Sequence, residues 1–177
     1  AIKLIRLDRE FGDKIHQFGE NSFRLYGLPE PQEGRVVGIL GRNGIGKSTA
    51  LKILSGQIKP NLGDPDENPG WDQVMERYRG TQLQGHFKDL SNDNVDAAFK
   101  PQQVDKMPEL YKGKVKDFLE ERDERNVLEE ISTQLEIDQI LDRDMSELSG
   151  GELQRVAIAA TLVRDASMYV VDEPSSF

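Results

Sequence analysis

The sequence predicts an α/β fold in which helices cover a largely parallel sheet. A β-branched run at 35–40 leads through a glycine-rich turn into a helical pattern that Gly56 is placed to end. A second unit, a helical pattern followed by an apolar strand, occupies 148–174. Helices that alternate with strands in this way favour parallel pairing of the strands.

The composition fits one domain and excludes several classes of protein. Of the 177 residues, 36% are hydrophobic and 31% are charged, so the chain can form a core. No apolar run approaches the roughly 20 residues of a membrane span, and no signal-peptide core is present, so we expect a cytoplasmic chain without a membrane partner. The absence of cysteine excludes a disulfide framework. The net charge of −9 limits nucleic-acid contact to a local basic patch.

Between the two units, apolar spacing predicts a pair of helices. Six apolar residues recur at helical intervals on either side of Gly80: Trp71, Val74, Tyr78, Leu83, Phe87 and Leu90. We expect a helix-loop-helix hairpin there, followed by a strand at 95–100. The segments 2–7 and 23–28 are expected to supply edge strands. The acidic stretch 117–144 has largely helical apolar spacing, and its charges indicate a solvated helix face.

The glycine-rich turn reads GRNGIGKS and fits the phosphate-loop pattern GxxxxGK[ST] between a strand and a helix. Glycines let main-chain N–H groups turn toward phosphate oxygens, and the helix start adds its positive dipole end. Lys47 would neutralise the phosphates, and the Ser48 hydroxyl suits Mg²⁺. We therefore predict binding of ATP with Mg²⁺, against the alternative of a plain turn with an exposed lysine. The nucleotide-binding candidates are Gly41, Asn43, Gly44, Ile45, Gly46, Lys47, Ser48 and Thr49.

Two carboxylates end the apolar strand near the C-terminus. Asp172 is a candidate Mg²⁺ ligand, and Glu173 is a candidate catalytic base that would orient or deprotonate the attacking water. An acidic pair at a strand end is a solvated terminus about as often as it is part of a catalytic site. The phosphate loop earlier in the chain favours the catalytic interpretation.

The stretch LSGGELQR at 148–155 is the most specific motif in the chain. Glycines at a helix start expose N–H groups, and a serine hydroxyl adds a further donor, which together predict a second anion-binding loop. Its candidate residues are Ser149, Gly150, Gly151 and Glu152. A plain helix capped by Ser149 is the structural alternative. The motif resembles the signature of ABC ATPases, which in that family closes on the γ-phosphate held by an opposite cassette.

The resemblance implies further roles. Gln102 stands at the place of the family's Q-loop glutamine, which reaches the metal and the attacking water, so it joins Lys47 and Glu173 as a catalytic candidate. It also joins Ser48 and Asp172 as a metal-site candidate. Phe18 and Phe23 precede the phosphate loop, where the family places an aromatic ring against adenine. Core packing is the alternative for both rings.

Longer stretches narrow the resemblance. Residues 15–63, 69–87, 99–108 and 148–177 are similar to the first nucleotide-binding cassette of the RNase L inhibitor family, the twin-cassette ATPase that splits ribosomes into subunits. This implies a P-loop NTPase cassette with a parallel sheet core, antiparallel edge strands, a helical signature subdomain and a hairpin insertion. The expected segments of this single partial cassette, 1–177, are a phosphate-loop core at 1–65 and 95–105, an insertion at 66–92, a helical subdomain at 106–165 and a Walker B strand at 167–173.

The resemblance also implies partners. They are a second cassette in the same full-length chain, translation release or recycling factors, and the small ribosomal subunit, which the insertion 66–92 would touch. Arg77, Arg79 and Lys88 are then phosphate contacts, with ordinary solvated charges as the alternative.

The chain departs from full-length members of that family at both ends. It lacks the cysteine-rich domain that would carry iron–sulfur clusters, and it stops at Phe177 before the rest of the D-loop and the switch histidine. We therefore expect an incomplete cassette that binds ATP with little turnover by itself. A membrane-transporter cassette is the main alternative function, and a nucleotide-binding docking module without hydrolysis is a third.

Overall fold

In the computed structural model, which describes residues 2–6 and 14–174, the chain divides into two units, Ala1–Val95 and Asp96–Phe177. The last residue of the first predicted edge strand, Leu7, and the final residues 175–177 lie outside the described residues. Each unit is described by itself.

The first unit pairs its strands in two separate ladders. Its strands are β1 (Ile2–Arg6), β2 (His16–Gln17), β3 (Arg24–Leu25) and β4 (Val36–Leu40). β1 runs parallel to β4 over their full lengths, from Ile2 opposite Val36 to Arg6 opposite Leu40. The antiparallel edge pairing lies between β2 and β3. The segment predicted at 23–28 forms a strand of two residues only, and β2 was not predicted.

Helix α1 (Lys47–Leu54) follows β4 and buries one face. Ala50, Ile53 and Leu54 on that face are buried, which the apolar spacing of the sequence predicts. Gly56 adopts a left-handed φ of +76° just beyond the helix, as expected of a residue that ends one. A Cβ at this position would lie 2.9 Å from Leu90 Cδ2, so the end of α1 and the hairpin are in close contact.

The predicted hairpin is confirmed as α2 (Trp71–Arg77) and α3 (Gln82–Ser91), with Gly80 at φ +77° between them. Phe87 is fully buried, and its ring centroid lies 5.0 Å from that of Tyr78 and 6.2 Å from that of Trp71. Burial raises the pKa of the Tyr78 hydroxyl above its ordinary value. These aromatic contacts give the hairpin a core of its own.

The second unit has a parallel strand pair, β5 (Ala97–Lys100) and β6 (Met168–Val171). Its helices are α4 (Met107–Leu110), α5 (Val115–Glu120), α6 (Leu128–Gln134) and α7 (Gly150–Leu162), with 3₁₀ turns at Asp138–Ile140 and Met145–Glu147. The core of the unit is apolar and centres on residues with almost no exposure: Val104, Val115, Leu119, Ile137, Met145, Val156 and Ala159. Helix α7 packs against α5, α6 and both strands.

The stretch 117–144, expected to be an amphipathic helical region, is helical in separate short pieces. Between α5 and α6, the Asp123 carboxylate accepts hydrogen bonds from the N–H groups of Val127 and Leu128, each at 3.0 Å. Burial alone would raise the pKa of Asp123, but these and neighbouring backbone hydrogen bonds lower it. The carboxylate therefore breaks the helix and starts the next one. No helix within the described parts of the chain has the length and apolar character needed to cross a bilayer.

We predict that Phe87→Ala destabilises the hairpin by about 3–5 kcal/mol, because the large ring leaves a cavity in a closed core. Hydrogen exchange of the α2 and α3 amides in the full chain measures this loss. Lys88→Ala is the matched control, since Lys88 is the exposed neighbour on the same helix. Equal protection in the two variants would contradict a hairpin core centred on Phe87.

Candidate functional site

The glycine-rich loop connects β4 directly to α1. Gly44 and Gly46 adopt left-handed φ values of +83° and +96°, which side chains other than glycine rarely tolerate. A Cβ on Gly46 would lie 2.3 Å from Phe23 Cζ, so only glycine fits there. The first turn of α1 contains no acidic residue, and its start has no side-chain cap. The helix therefore presents its N–H groups and positive dipole end without an internal anion.

Lys47 lies over this loop. Its Nζ donates to the carbonyl oxygens of Gly41 at 2.9 Å and Arg42 at 3.1 Å, and to Asn43 Oδ1 at 3.4 Å. The predicted residues Ser48 and Thr49 follow in the first turn of α1 and are half-buried. The structure thus places two of the predicted loop residues, Gly41 and Asn43, in contact with the Lys47 ammonium group.

The two predicted aromatic candidates differ in their surroundings. Phe18 is 55% exposed and meets the His16 ring edge-on, with centroids 4.7 Å apart. Phe23 is half-buried and packs beneath Gly46, a supporting contact that sequence reasoning missed. His16 is buried and its Nδ1 accepts from the Asn61 N–H, and burial lowers its pKa. Phe18 therefore offers the freer ring face.

In the second unit, the predicted acids follow β6 directly. Lys100 pairs with Val171 in the parallel ladder, and the Asp172 N–H donates to the Lys100 carbonyl at 3.0 Å. Asp172 is 3% exposed, and its negative charge acts on the neighbouring Lys100, where it opposes the lowering of the pKa by burial. Burial of a carboxylate is unfavourable unless hydrogen-bond donors or a cation compensate its charge. This environment suits the predicted metal-ligand role.

Two of the catalytic candidates, Glu173 and Gln102, are in contact. Gln102 Nε2 donates to Glu173 Oε2 at 2.8 Å. Glu173 itself has a left-handed φ of +48°, which is uncommon for a residue with a side chain. The turn after β6 is therefore held in an unfavourable backbone conformation at the predicted catalytic base.

Sequence reasoning missed Lys100, the last residue of β5. Its side chain is fully buried, and its Nζ donates to the main-chain carbonyls of Asp172 at 2.9 Å and Glu173 at 3.1 Å. Burial lowers the pKa of Lys100, and the two neighbouring carboxylates oppose that effect. A lysine at a strand end carries no local signal for such a role.

The LSGGE motif begins α7, with Ser149 as the N-cap residue. The Ser149 N–H and hydroxyl both donate to Glu152 Oε2, at 2.8 and 2.7 Å, and the Glu152 N–H donates to the Ser149 hydroxyl at 3.4 Å, which completes a capping box. These two bonds lower the pKa of Glu152, and Arg143, 3.3 Å from its carboxylate, assists. Gly151 would meet nothing within 4 Å if it carried a Cβ, so this helix start is open. The capped-helix alternative describes the observed contacts, and the opening leaves room for an anion.

The chain matches the family model described as ABC transporter over residues 30–176. Among curated proteins, it is 51% identical to an uncharacterized ABC transporter ATP-binding protein of Methanocaldococcus jannaschii. It is 46% identical to ABC transporter E family member 1 of Arabidopsis thaliana. Both matches cover 100% of this chain and 30% of the relative, so the chain spans about 30% of the length of these relatives.

Solved structures of related proteins are also similar to this chain. An archaeal ribosome recycling factor, solved in complex with an archaeal ribosomal stalk protein, and an RNase-L inhibitor are each 52% identical to this chain with a TM-score of 0.85. Each match covers 93% of this chain and 32% of the solved one. A model of ribosome-bound archaeal Pelota and ABCE1 gives 50% identity and a TM-score of 0.86, covering 93% of this chain and 28% of the solved one. These likenesses confirm the predicted cassette fold.

We predict that Gly46→Ala abolishes nucleotide binding, because the added methyl group meets Phe23 and the left-handed φ becomes strained. Gly85→Ala is the matched control: its Cβ meets nothing within 4 Å in α3, and the change should stabilise the helix by about 0.5–1 kcal/mol. Binding of a fluorescent ATP analogue and thermal unfolding measure both effects. ATP affinity retained in Gly46→Ala would contradict the proposed loop geometry.

Proposed function

This chain belongs to the ABC transporter family of nucleotide-binding domains, and from that membership we propose that it binds ATP with Mg²⁺ as one cassette of a twin-cassette ATPase that splits ribosomes into subunits. The observation that carries the proposal is the phosphate loop. Its left-handed glycines, its uncapped helix start and its lysine ammonium suit the phosphates of a nucleotide.

The chain supplies a separate group for each requirement of phosphoryl transfer. Lys47 would leave its loop carbonyls and neutralise phosphate oxygens. Ser48 and Asp172 are the hard oxygen donors that Mg²⁺ accepts alongside phosphates and water, and the metal would supply charge neutralisation there.

Hydrolysis needs a base for the attacking water. Glu173 would orient or deprotonate the attacking water. Gln102 now donates a hydrogen bond of 2.8 Å to the Glu173 carboxylate, and it would give up that bond to contact the attacking water or the metal. The α7 start, with Ser149, Gly150 and Gly151, would provide a second anion cradle for the nucleotide of the partner cassette. The Ser149 hydroxyl must then leave Glu152, its present acceptor.

The ribosomal role is supported by what the relatives are called and by the hairpin. Solved relatives are described as a ribosome recycling factor and as ribosome-bound with Pelota, so recycling factors, the small ribosomal subunit and a cytoplasmic setting are the proposed partners and place. The insertion 66–92 carries five acidic and three basic residues, so nucleic-acid contact depends on a local group of arginines. A membrane-transporter cassette remains the second candidate because the family model carries that description.

We predict that two variants of the full-length protein separate binding from turnover. Lys47→Ala should weaken ATP binding, because a phosphate charge loses its partner. Glu173→Gln should bind ATP normally while its turnover falls by about a hundredfold or more, the range for loss of a general base. Equilibrium dialysis and phosphate release measure the two quantities. If neither variant differs from the parent protein, the proposed chemistry is wrong.

We predict that the full-length protein with a non-hydrolysable ATP analogue cosediments with small ribosomal subunits. Reversing Arg77 and Arg79 to Glu should weaken this association by about tenfold or more, because charge reversal at phosphate contacts removes the ionic term. Lys106→Glu, an exposed change in the second unit, is the control and should leave the association intact. Partition of the protein with membranes instead of ribosomes would favour the transporter function.

A further inference from the structure

Lys100 is a buried cation that none of the recognised motifs includes. It ends β5, is 0% exposed, and lies beside the turn that carries both predicted acids. Burying an ammonium group is unfavourable unless strong hydrogen bonds compensate it. Its position therefore calls for an explanation beyond strand formation.

The hydrogen bonds of Lys100 tie both of its ends to one turn. Its main-chain carbonyl accepts from the Asp172 N–H at 3.0 Å. Its ammonium donates to the Asp172 carbonyl at 2.9 Å and to the Glu173 carbonyl at 3.1 Å. These three hydrogen bonds of Lys100 thus fix the backbone of the turn that follows β6.

The turn held in this way is strained at Glu173, the candidate catalytic base. Glu173 has a φ of +48°, a conformation that a residue with a Cβ adopts at a cost. Hydrogen bonds from a charged donor to the two carbonyls are stronger than neutral ones, so they offset that cost. Loss of these bonds would remove that compensation and favour an ordinary backbone conformation, in which the Glu173 carboxylate lies elsewhere.

A second residue on the same segment holds the side chain. Gln102, two positions after Lys100, donates to the Glu173 carboxylate at 2.8 Å. Lys100 therefore fixes the main chain of Glu173 while Gln102 contacts its carboxylate. Gln102 can therefore change its hydrogen-bond partner without loss of the bonds that Lys100 makes to the main chain of Asp172 and Glu173.

We propose that Lys100 is a positioning residue for hydrolysis, which holds Glu173 in its strained conformation so that the carboxylate can act on the attacking water. The proposal rests on the ATPase function proposed above. Lys100 contacts neither nucleotide nor water in this role and acts through Glu173.

The test uses Lys100→Met in the full-length protein, a change that keeps the length of the side chain and removes its donors. We expect kcat for ATP hydrolysis to fall by about tenfold or more while KM and the dissociation constant for ATP change by less than about twofold, the pattern of a group that acts in the transition state alone. Lys106→Met, an exposed lysine in the same unit, should match the parent protein.

Two further measurements separate positioning from general stability. The single-turnover rate constant counts only molecules with bound ATP, so loss of folded protein does not lower it. In the Glu173→Gln background, Lys100→Met should cause no further loss, because residues that act as a unit are not additive.

An unchanged single-turnover rate in Lys100→Met would overturn the proposal, as would an equal loss in the Glu173→Gln background. If the parent protein itself neither binds nor hydrolyses ATP, the ATPase function fails instead. The two failures are thus distinguishable in one set of assays.

Discussion

The candidate chemistry of this chain depends on parallel pairing of its strands. In parallel ladders the carboxyl ends of neighbouring strands meet at one edge, and the chain leaves each ladder with unpaired main-chain groups. In the first unit β4 ends at the phosphate loop, and in the second unit the paired strands β5 and β6 end near Gln102 and at the two acids. The register of Lys100 opposite Val171 also brings the Asp172 N–H to the Lys100 carbonyl. A shift of one residue would turn these side chains to the opposite face.

The N-termini of α1 and α7 both carry the positive end of a helix dipole, but they differ in whether a side chain of the protein neutralises it. α1 begins after a left-handed glycine, with neither a side-chain cap nor an acid in its first turn. α7 begins with a complete capping box, in which Glu152 neutralises the helix start and takes both Ser149 donors. An anion can approach the first helix without displacing a carboxylate, whereas at the second it competes with Glu152. The two loops are therefore unequal as anion sites, although both are rich in glycine.

The sequence predicted the elements whose signals are local, and it failed where the determinant comes from elsewhere in the chain. Helical spacing around Gly80 specified the hairpin, and the glycine pattern specified the loop and its helix. The stretch 117–144 was expected to be an amphipathic helical region, and its apolar spacing does not show that the Asp123 carboxylate accepts two backbone N–H bonds and divides it. The role of Lys100 and the contact of Phe23 with Gly46 were missed for a related reason: each involves residues distant in sequence, and no periodicity shows which partner a side chain will contact.

Both ends of helix α1 form hydrogen bonds with other parts of the first unit. Its first turn carries Lys47, and the Leu54 carbonyl in its last turn accepts a hydrogen bond of 2.8 Å from His86 Nε2 of the hairpin. Burial lowers the pKa of His86, so the ring stays a neutral donor at ordinary pH. Eight residues of helix form a stiff rod roughly 12 Å long. The hairpin and the phosphate-loop lysine are thus attached to opposite ends of one short helix, so that the contact with His86 bears on the same element that positions Lys47.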